Sequence, residues 1–504
     1  MPSESQAHRP LTETSNVAPG DAFAFGLLLF LVGILPAITV TAGAAPTNLS
    51  LLVVLHGSLI VWSAIRISLI VRSGVPRLLA LVFWIYVYFW LGLAPFAQLT
   101  LNIFPLPALL PQQSLTEATL TVWVGVLGFE LGHRFRGRPS ASPWLAGLSS
   151  RGLTWKTVAL LTIGSVVLTP LLVSQFGGIS TFFTSRQAID QAGSLLQSEP
   201  DANTLRGIYS ALFSVPPLIA TLGWLQLRRS GRLPRKRLFP IIVITILVAL
   251  NVVVNNPISE SRSWFSVCVF AVVFATAWAR TNRGFRIAAV GMILLLVILL
   301  PFGSYFRYTQ RSAPESLAVI ATQYSVSGDY DSYQQIAAGM QYVEWFGFDY
   351  GAHLLGPAFF WVPRSLWPDK PRDTGVVLAE FEGYAYTNLS APLWIETYIA
   401  GGDILTFVAF ALIGLIWRRL DDQFVFTRAI DPAVINLLVP LVAGYQMALL
   451  RGSLLTISGR LTVIVLLPLV LASVWRAQRD SHRSKSQGGS EPAPATVAVR
   501  LGRF

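Results

Sequence analysis

Twelve stretches of about 17 to 25 mostly apolar residues recur along this chain, and their recurrence restricts the fold more than any other feature. Each is long enough for an α-helix, rising about 1.5 Å per residue, to cross a hydrocarbon layer of about 30 Å. Inside such a layer the backbone must satisfy its own hydrogen bonds, which leaves helices or a closed barrel, and runs of this length select helices. The windows lie near 21–43, 49–71, 78–100, 115–133, 154–175, 206–227, 238–255, 263–279, 287–303, 403–417, 433–450 and 454–475. The expected fold is therefore an all-α polytopic membrane protein of about 12 transmembrane helices, with one large, mostly helical exterior loop between helices 9 and 10. A composition of 53% hydrophobic and 12% charged residues agrees, since a soluble globular domain carries about twice that charge.

Basic residues orient the expected bundle. With a cytoplasmic N-terminus, the inner segments and the tail hold 26 of the 37 Lys and Arg, an excess that follows the positive-inside rule. The net charge of +12 is read this way and not as a nucleic-acid footprint. The expected organisation is a disordered cytoplasmic N-terminus over 1–20, helices over 21–303, an exterior loop over 304–402, helices over 403–475 and a cytoplasmic tail over 476–504. The single cysteine, Cys268, lies in an apolar window, so no intrachain disulfide orders the loop.

The loop concentrates the residues able to do chemistry. It holds ten of the fourteen tyrosines together with Trp345, Trp361, Trp367 and Trp394 and the cations Arg307, Arg311, Arg364, Lys370 and Arg372. Aromatic faces pack on the C–H faces of sugars, and the planar Arg fork meets phosphate oxygens with paired hydrogen bonds, so the mixture suits a sugar attached to an anion. The run DSYQQIAAGMQYVEWFG predicts an amphipathic helix with Tyr333, Ile336, Met340 and Val343 on one face, ending at Gly347. HLLGPAFFWV is too short to span and reads as re-entrant or interfacial.

Outside the loop, Arg186, Arg262 and Arg451 lie on the outer side, and Arg460 is placed about 14 Å down the last helix, where a charge usually faces a polar cavity or an anion. Arg186 and Arg262 read equally well as interfacial anchors or as partners of Asp190 and Glu260. Loop carboxylates are Glu344, Asp349, Asp369, Asp373, Glu380, Glu382 and Glu396. Glu396, at the membrane edge, has the place to orient or deprotonate a hydroxyl, with a salt bridge to an arginine as its structural role. His353 is a candidate base or phosphate ligand, against the commoner reading of a packed histidine. Asp329 and Asp331 form a DxD, a pattern too short to identify a metal site. A phosphate loop ending in Lys-Ser or Lys-Thr, an HExxH motif and a cysteine pair are all absent, so ATP hydrolysis and zinc chemistry have no carrier here.

Four segments in order, NNPISESRSWF, GPAFFWVPRSLWPDKP, APLWIETYIAGGD and ALLRGSLL, together with the long loop between the ninth and tenth windows, resemble the Wzy-type O-antigen or oligosaccharide repeat-unit polymerases, within the C-type-like membrane glycosyltransferases. The resemblance covers the second half of the chain; the first half agrees by topology alone. One departure stands out: the first outer loop, AAPTN, lacks the metal-associated acids of many C-type enzymes. The resemblance implies a glycosyltransferase of the bacterial cytoplasmic membrane that joins undecaprenyl-diphosphate-linked repeat units by metal-independent inverting transfer, with no cofactor. Its partners would be lipid-linked donor and acceptor and membrane lipid, with room for a chain-length regulator and a flippase. Carried onto this sequence, the resemblance places Arg262, Arg364, Lys370 and Arg451 on the diphosphate, with Arg186, Arg372 and Arg460 as further contacts. It gives Glu396 or His353 the role of base and sets Trp361, Trp367 and Tyr398 against sugars. An O-antigen-ligase-like transferase and a lipid-linked glycan flippase or exporter are the alternatives.

Overall fold

The computed structural model describes residues 19–41, 50–107, 110–135, 143–184, 202–233, 238–258, 260–303, 325–384, 386–387, 389–427, 429 and 431–474. The described chain is mostly helical. Seven helices are long and apolar enough to cross a membrane: Gly20–Thr39, Leu51–Ser73, Leu78–Leu101, Trp155–Gln175, Ser210–Arg229, Leu393–Phe426 and Leu454–Leu471. Leu238–Val254, Ser263–Phe274 and Ile435–Arg451 are apolar but shorter. The remaining two windows, near 115–133 and 287–303, fall within the helices Gln112–Arg134 and Asn282–Gly303. Among the described residues the only sheet is the two-residue pairing of Arg151–Gly152 with Ser473–Val474. The described residues thus form a mostly helical, membrane-embedded protein.

Two helices carry the closest packing. Gln112–Arg134 presents Gly125, Gly128 and Gly132 to Leu393–Phe426, and a Cβ at Gly132 would overlap the Ala411 carbonyl, as one at Gly414 would overlap the Phe129 carbonyl. Small residues at three- and four-residue spacing let two backbones approach where lipid supplies no hydrophobic drive. Beside them Leu78–Leu101 is buried along its length and passes through a π-helical stretch, Val87–Leu93. That stretch leaves the Leu91 carbonyl to the ring of His56, with Nδ1 at 2.7 Å, while His56 Nε2 lies 3.2 Å from the Thr119 hydroxyl. His56 is thus a satisfied packing residue.

The segment between the ninth and tenth windows is built into the bundle and does not simply lie over it. Its helix Ser332–Phe346 stops at Gly347 (φ 77°), as the sequence predicts, and Tyr333, Ile336, Met340 and Val343 are all buried. The polar face of its first turns is buried as well. The Tyr333 hydroxyl donates to the Leu115 carbonyl at 2.9 Å, and the Gln334 amide both donates to the Leu106 carbonyl and accepts from the Leu106 N–H. Tyr86 donates to the Ser332 hydroxyl, and the Trp90 indole to the Asp329 carbonyl. Of HLLGPAFFWV only Leu355–Ala358 is helical, and turns follow as far as Lys370.

The tenth helix begins at Leu393, ten residues before the expected boundary, and is interrupted at Gly401 and Gly402, where the backbone leaves helical geometry (Gly402 φ 68°, ψ −161°). The stretch after the break, 403–426, is about 36 Å long at 1.5 Å per residue, which suffices alone to cross a membrane. The stretch before it serves another purpose.

Candidate active site

Before the break, the Leu393–Phe426 helix points Glu396 into a knot of polar side chains. Glu396 is buried, 1% exposed. Its Oε1 accepts the Leu454 backbone N–H at 2.9 Å, and its Oε2 accepts the Thr374 hydroxyl at 2.9 Å. Leu454 is the first residue of the Leu454–Leu471 helix, so its N–H has no partner within that helix and carries the positive end of the helix dipole. The imidazole of His353 stands 3.1 Å from Glu396 Oε2 through Nε2. That contact has ion-pair distance, and among the described residues no other group meets the buried Nε2.

The other ring nitrogen is tightly held. His353 Nδ1 lies 2.5 Å from Asp349 Oδ2, which also accepts the His353 backbone N–H at 2.9 Å, while Asp349 Oδ1 accepts the Gly351 N–H at 2.9 Å. This local arrangement requires a sharp turn. Tyr350 (φ 54°) and Gly351 (φ 85°) both take left-handed backbone conformations, a costly state for a tyrosine that folding must offset elsewhere. The Asp349 N–H donates to the Ile399 carbonyl at 3.1 Å, which fastens the turn to the Glu396-bearing helix.

A second acid completes the cluster. Asp373 caps the helix Thr374–Phe381 through the Gly375 N–H at 3.0 Å and accepts the Thr456 hydroxyl at 2.5 Å. Burial pushes its carboxyl above the usual range, against the pull of the Thr456 and Ser453 hydroxyls, and the charge of Glu396 adds to the rise. Burial acts in the opposite sense on His353, but the Glu396 carboxylate, with Asp349 behind it, outweighs burial and holds the imidazole above its ordinary 6.5. Two lone pairs facing each other at 3.1 Å inside a protein repel, so one proton belongs to the Nε2–Oε2 contact. Asp349, His353 and Glu396 therefore form a carboxylate–imidazole–carboxylate chain, an arrangement able to accept or deliver a proton. The two bases between which the sequence left the choice open, Glu396 and His353, stand in direct contact.

Arg451 ends the helix Ile435–Arg451, three residues before Leu454. Its Nη2 donates to Asp331 Oδ1 at 2.9 Å and to the Gly328 carbonyl at 3.0 Å, while its buried Nε has no acceptor. Asp331 also accepts the Ser390 hydroxyl and N–H, so this half of the DxD is occupied by protein donors.

The remaining sequence-derived candidates separate. Arg364 donates to the Lys370 and Pro371 carbonyls, and Lys370, 3% exposed, donates to the Phe360 and Val362 carbonyls. Together they fold PRSLWPDKP back on itself. Arg372 makes a two-pronged pair with the Glu380 carboxylate. Arg460 is placed against Glu260 at 3.1 Å, the Ser210 hydroxyl and the face of Trp264 at 4.4 Å. Trp361 is exposed beside Phe359 and Phe360, Trp367 stands near Phe359, and Tyr398 packs edge-on to Phe348. Arg186 and the side chain of Arg262 lie outside the described residues. Four cations thought to share one anion, Arg364, Lys370, Arg372 and Arg460, are thus each engaged by protein acceptors, and Arg451 lies three residues before Leu454, whose N–H meets Glu396.

Thr374, Thr456 and the Leu454 N–H were not anticipated, because nothing in a sequence marks which hydroxyl or helix terminus will meet a buried acid. The Asp349–His353 pair is local in sequence, in DYGAH, but it meets across a turn with left-handed backbone at Tyr350 and Gly351 and not along a helix face. No family model, no curated protein and no solved structure matches this chain.

Proposed function

We propose that this chain is a membrane glycosyltransferase, a polysaccharide polymerase that joins oligosaccharide units carried on a polyprenyl diphosphate at the outer face of the bacterial cytoplasmic membrane. The observation that carries the reading is the Asp349–His353–Glu396 relay set against the turn that joins the last two helices. In the proposed reaction a sugar hydroxyl of the acceptor attacks the anomeric carbon of the donor from the face opposite the diphosphate. Its proton passes to the His353–Glu396 pair as the new C–O bond forms and the bond to the diphosphate oxygen breaks. The electron pair leaves with the diphosphate, and the unengaged Nε of Arg451 is the donor available to meet that charge. Glu396 takes that proton, while Asp349 stabilises the His353 imidazolium beside it.

Among the described residues the turn offers the leaving group one guanidinium, the Leu454 N–H being taken by Glu396, so the reading depends on the relay more than on the cations. Purified protein in vesicles, given lipid-linked oligosaccharide without added metal, is expected to lengthen the glycan, and EDTA is expected to leave the rate unchanged. Absence of any lengthened product from active-site-intact protein overturns the proposal. A second reading, a transporter of lipid-linked glycan, draws on the broken helix at Gly401–Gly402, because interrupted helices line substrate sites in transporters. Movement of labelled glycan lipid across the bilayer without lengthening would select it.

A further inference from the structure

The ends of the relay lie beside a group of large, exposed aromatic side chains that no reaction uses. Trp345 is 77% exposed, Phe346 66% and Tyr350 88%, all within six residues and immediately preceding or flanking Asp349. A soluble surface rarely keeps such a patch open to water, and burying it removes an unfavourable term of about 25 cal/mol for each Å².

What lies next to the patch identifies its partner. Phe348 packs edge-on to Tyr398, and its ring is the nearest group to Gly402 at the helix break. Directly after the break, Ile404, Val408, Leu412 and Ile416 are all exposed at four-residue spacing, a continuous apolar stripe along the membrane-crossing part of Leu393–Phe426. The helix packed against it, Gln112–Arg134, exposes Leu120, Leu127 and Leu131 in the same manner, and opens with the polar residues Gln112, Gln113 and Glu117. Tyr398 lies close enough to Glu117 and Asp403 to feel both charges. The aromatic group therefore stands where two lipid-facing stripes give way to polar side chains. That is the depth of lipid headgroups, where Trp and Tyr rings are favoured because one part is apolar and another wet.

We infer that Trp345, Phe346 and Tyr350 insert into the headgroup region of the membrane and fix the Asp349–His353 turn at that depth. The strained backbone at Tyr350 serves both ends of this arrangement: it directs the ring outward and brings the Gly351 and His353 N–H groups onto the Asp349 carboxylate. With the relay at headgroup depth, a diphosphate attached to a lipid reaches it without leaving the membrane; this last clause rests on the proposed function, whereas the insertion itself does not.

The test reads position and not activity, so it fails or succeeds independently of the enzyme assignment. Cys268 is the only cysteine, and Cys268→Ser permits a single environment-sensitive label at Trp345→Cys or Tyr350→Cys in the full chain. In phosphatidylcholine–phosphatidylglycerol vesicles, the label is expected to be quenched strongly by nitroxide at the lipid headgroup, more weakly by nitroxide at mid-chain, and little by iodide in the water. Strong iodide quenching without nitroxide quenching overturns the inference. So does quenching that depends on protein density and not on nitroxide lipid, which would assign the patch to a second copy of the chain. Should the cysteine variants fail to fold, Trp345→Phe on the unaltered chain is read by brominated lipid: its removal is expected to abolish a measurable part of the intrinsic tryptophan quenching, and unchanged quenching counts against insertion.

Discussion

The two halves of the helix Leu393–Phe426 obey different rules. Before the Gly401–Gly402 break, Leu393, Trp394, Ile395, Glu396, Thr397, Ile399 and Ala400 are all buried, and the helix has no open face. After it, burial alternates with exposure and Ile404, Val408, Leu412 and Ile416 lie open in a stripe. A helix buried all round can present a carboxylate to a polar site shielded from water, while one with an apolar stripe is shaped for lipid. The break lets one continuous segment do both, and the Thr397 hydroxyl, 3.1 Å from that of Thr406, ties the halves across it. The proposed chemistry thereby falls to the first half and the lipid-facing stripe to the second.

Substitutions that affect one half alone sharpen this division, and the largest effect belongs to Glu396→Gln. The amide retains the size of the carboxylate and an oxygen for the Leu454 N–H, but it cannot take a proton. Glycan lengthening per folded molecule in vesicles is expected to fall by about 10²- to 10⁴-fold, the span of a lost acid–base group, with a lower melting temperature because the His353 imidazolium loses its carboxylate partner. An active Glu396→Gln protein would remove the relay from the mechanism and with it the contrast between the halves. Next is Gly132→Leu, at the close approach to the second half, where the added side chain meets the Ala411 backbone. Overpacking of this kind costs about 1–3 kcal/mol or more, read as a lower melting temperature in detergent and lower abundance in the membrane. The specific activity of the protein that remains folded is expected to be unaltered. Gly402→Ala tests the break itself. At φ 68° and ψ −161° only glycine is comfortable, so alanine is expected to cost about 1–3 kcal/mol, and because the hinge joins both halves it should lower stability and activity together. A loss confined to one of the two readouts would show that the halves are less coupled than the Thr397–Thr406 contact suggests.

The fold was far more legible than the site. Helical windows follow from runs of apolar residues, a local property, and every window in the sequence falls on a helix. Ser332–Phe346 was legible for the same reason: its three- and four-residue spacing and Gly347 define it. Its burial on the polar side was not, because Gln334 finds Leu106, 228 positions away, and no local pattern records that pairing. The cations show the same limit. A sequence reveals that Arg460 lies deep in a helix; it does not reveal that Glu260, 200 positions earlier, lies opposite. Lys370 and Arg364 were expected on the diphosphate through the resemblance of their motif; that the same run turns back and offers them its own carbonyls is not written in the motif. What could be read locally, the DYGAH spacing, proved to be one edge of the relay; what joined it to Glu396 and Leu454 was tertiary.

The smallest effect tests the first half through protons. His353 is held above 6.5 by its carboxylate neighbours, so folding favours its protonated form. The stability this contributes is complete below 6.5, where the unfolded chain also carries the proton, and is lost as pH rises through the higher folded value. Asp373, raised above 3.8 by burial, tilts stability in the same direction, its contribution disappearing as pH climbs from 3.8 through its own folded value. Melting temperature is therefore expected to decline from mildly acidic to alkaline pH, and His353→Gln should flatten the part of that decline above 6.5 while leaving the acidic part, which belongs to Asp373, in place. The sign decides the matter. If the protein gains stability on passing from pH 6 to pH 8, the imidazole is not held protonated between Asp349 and Glu396, and a neutral His353 would have to be the base itself.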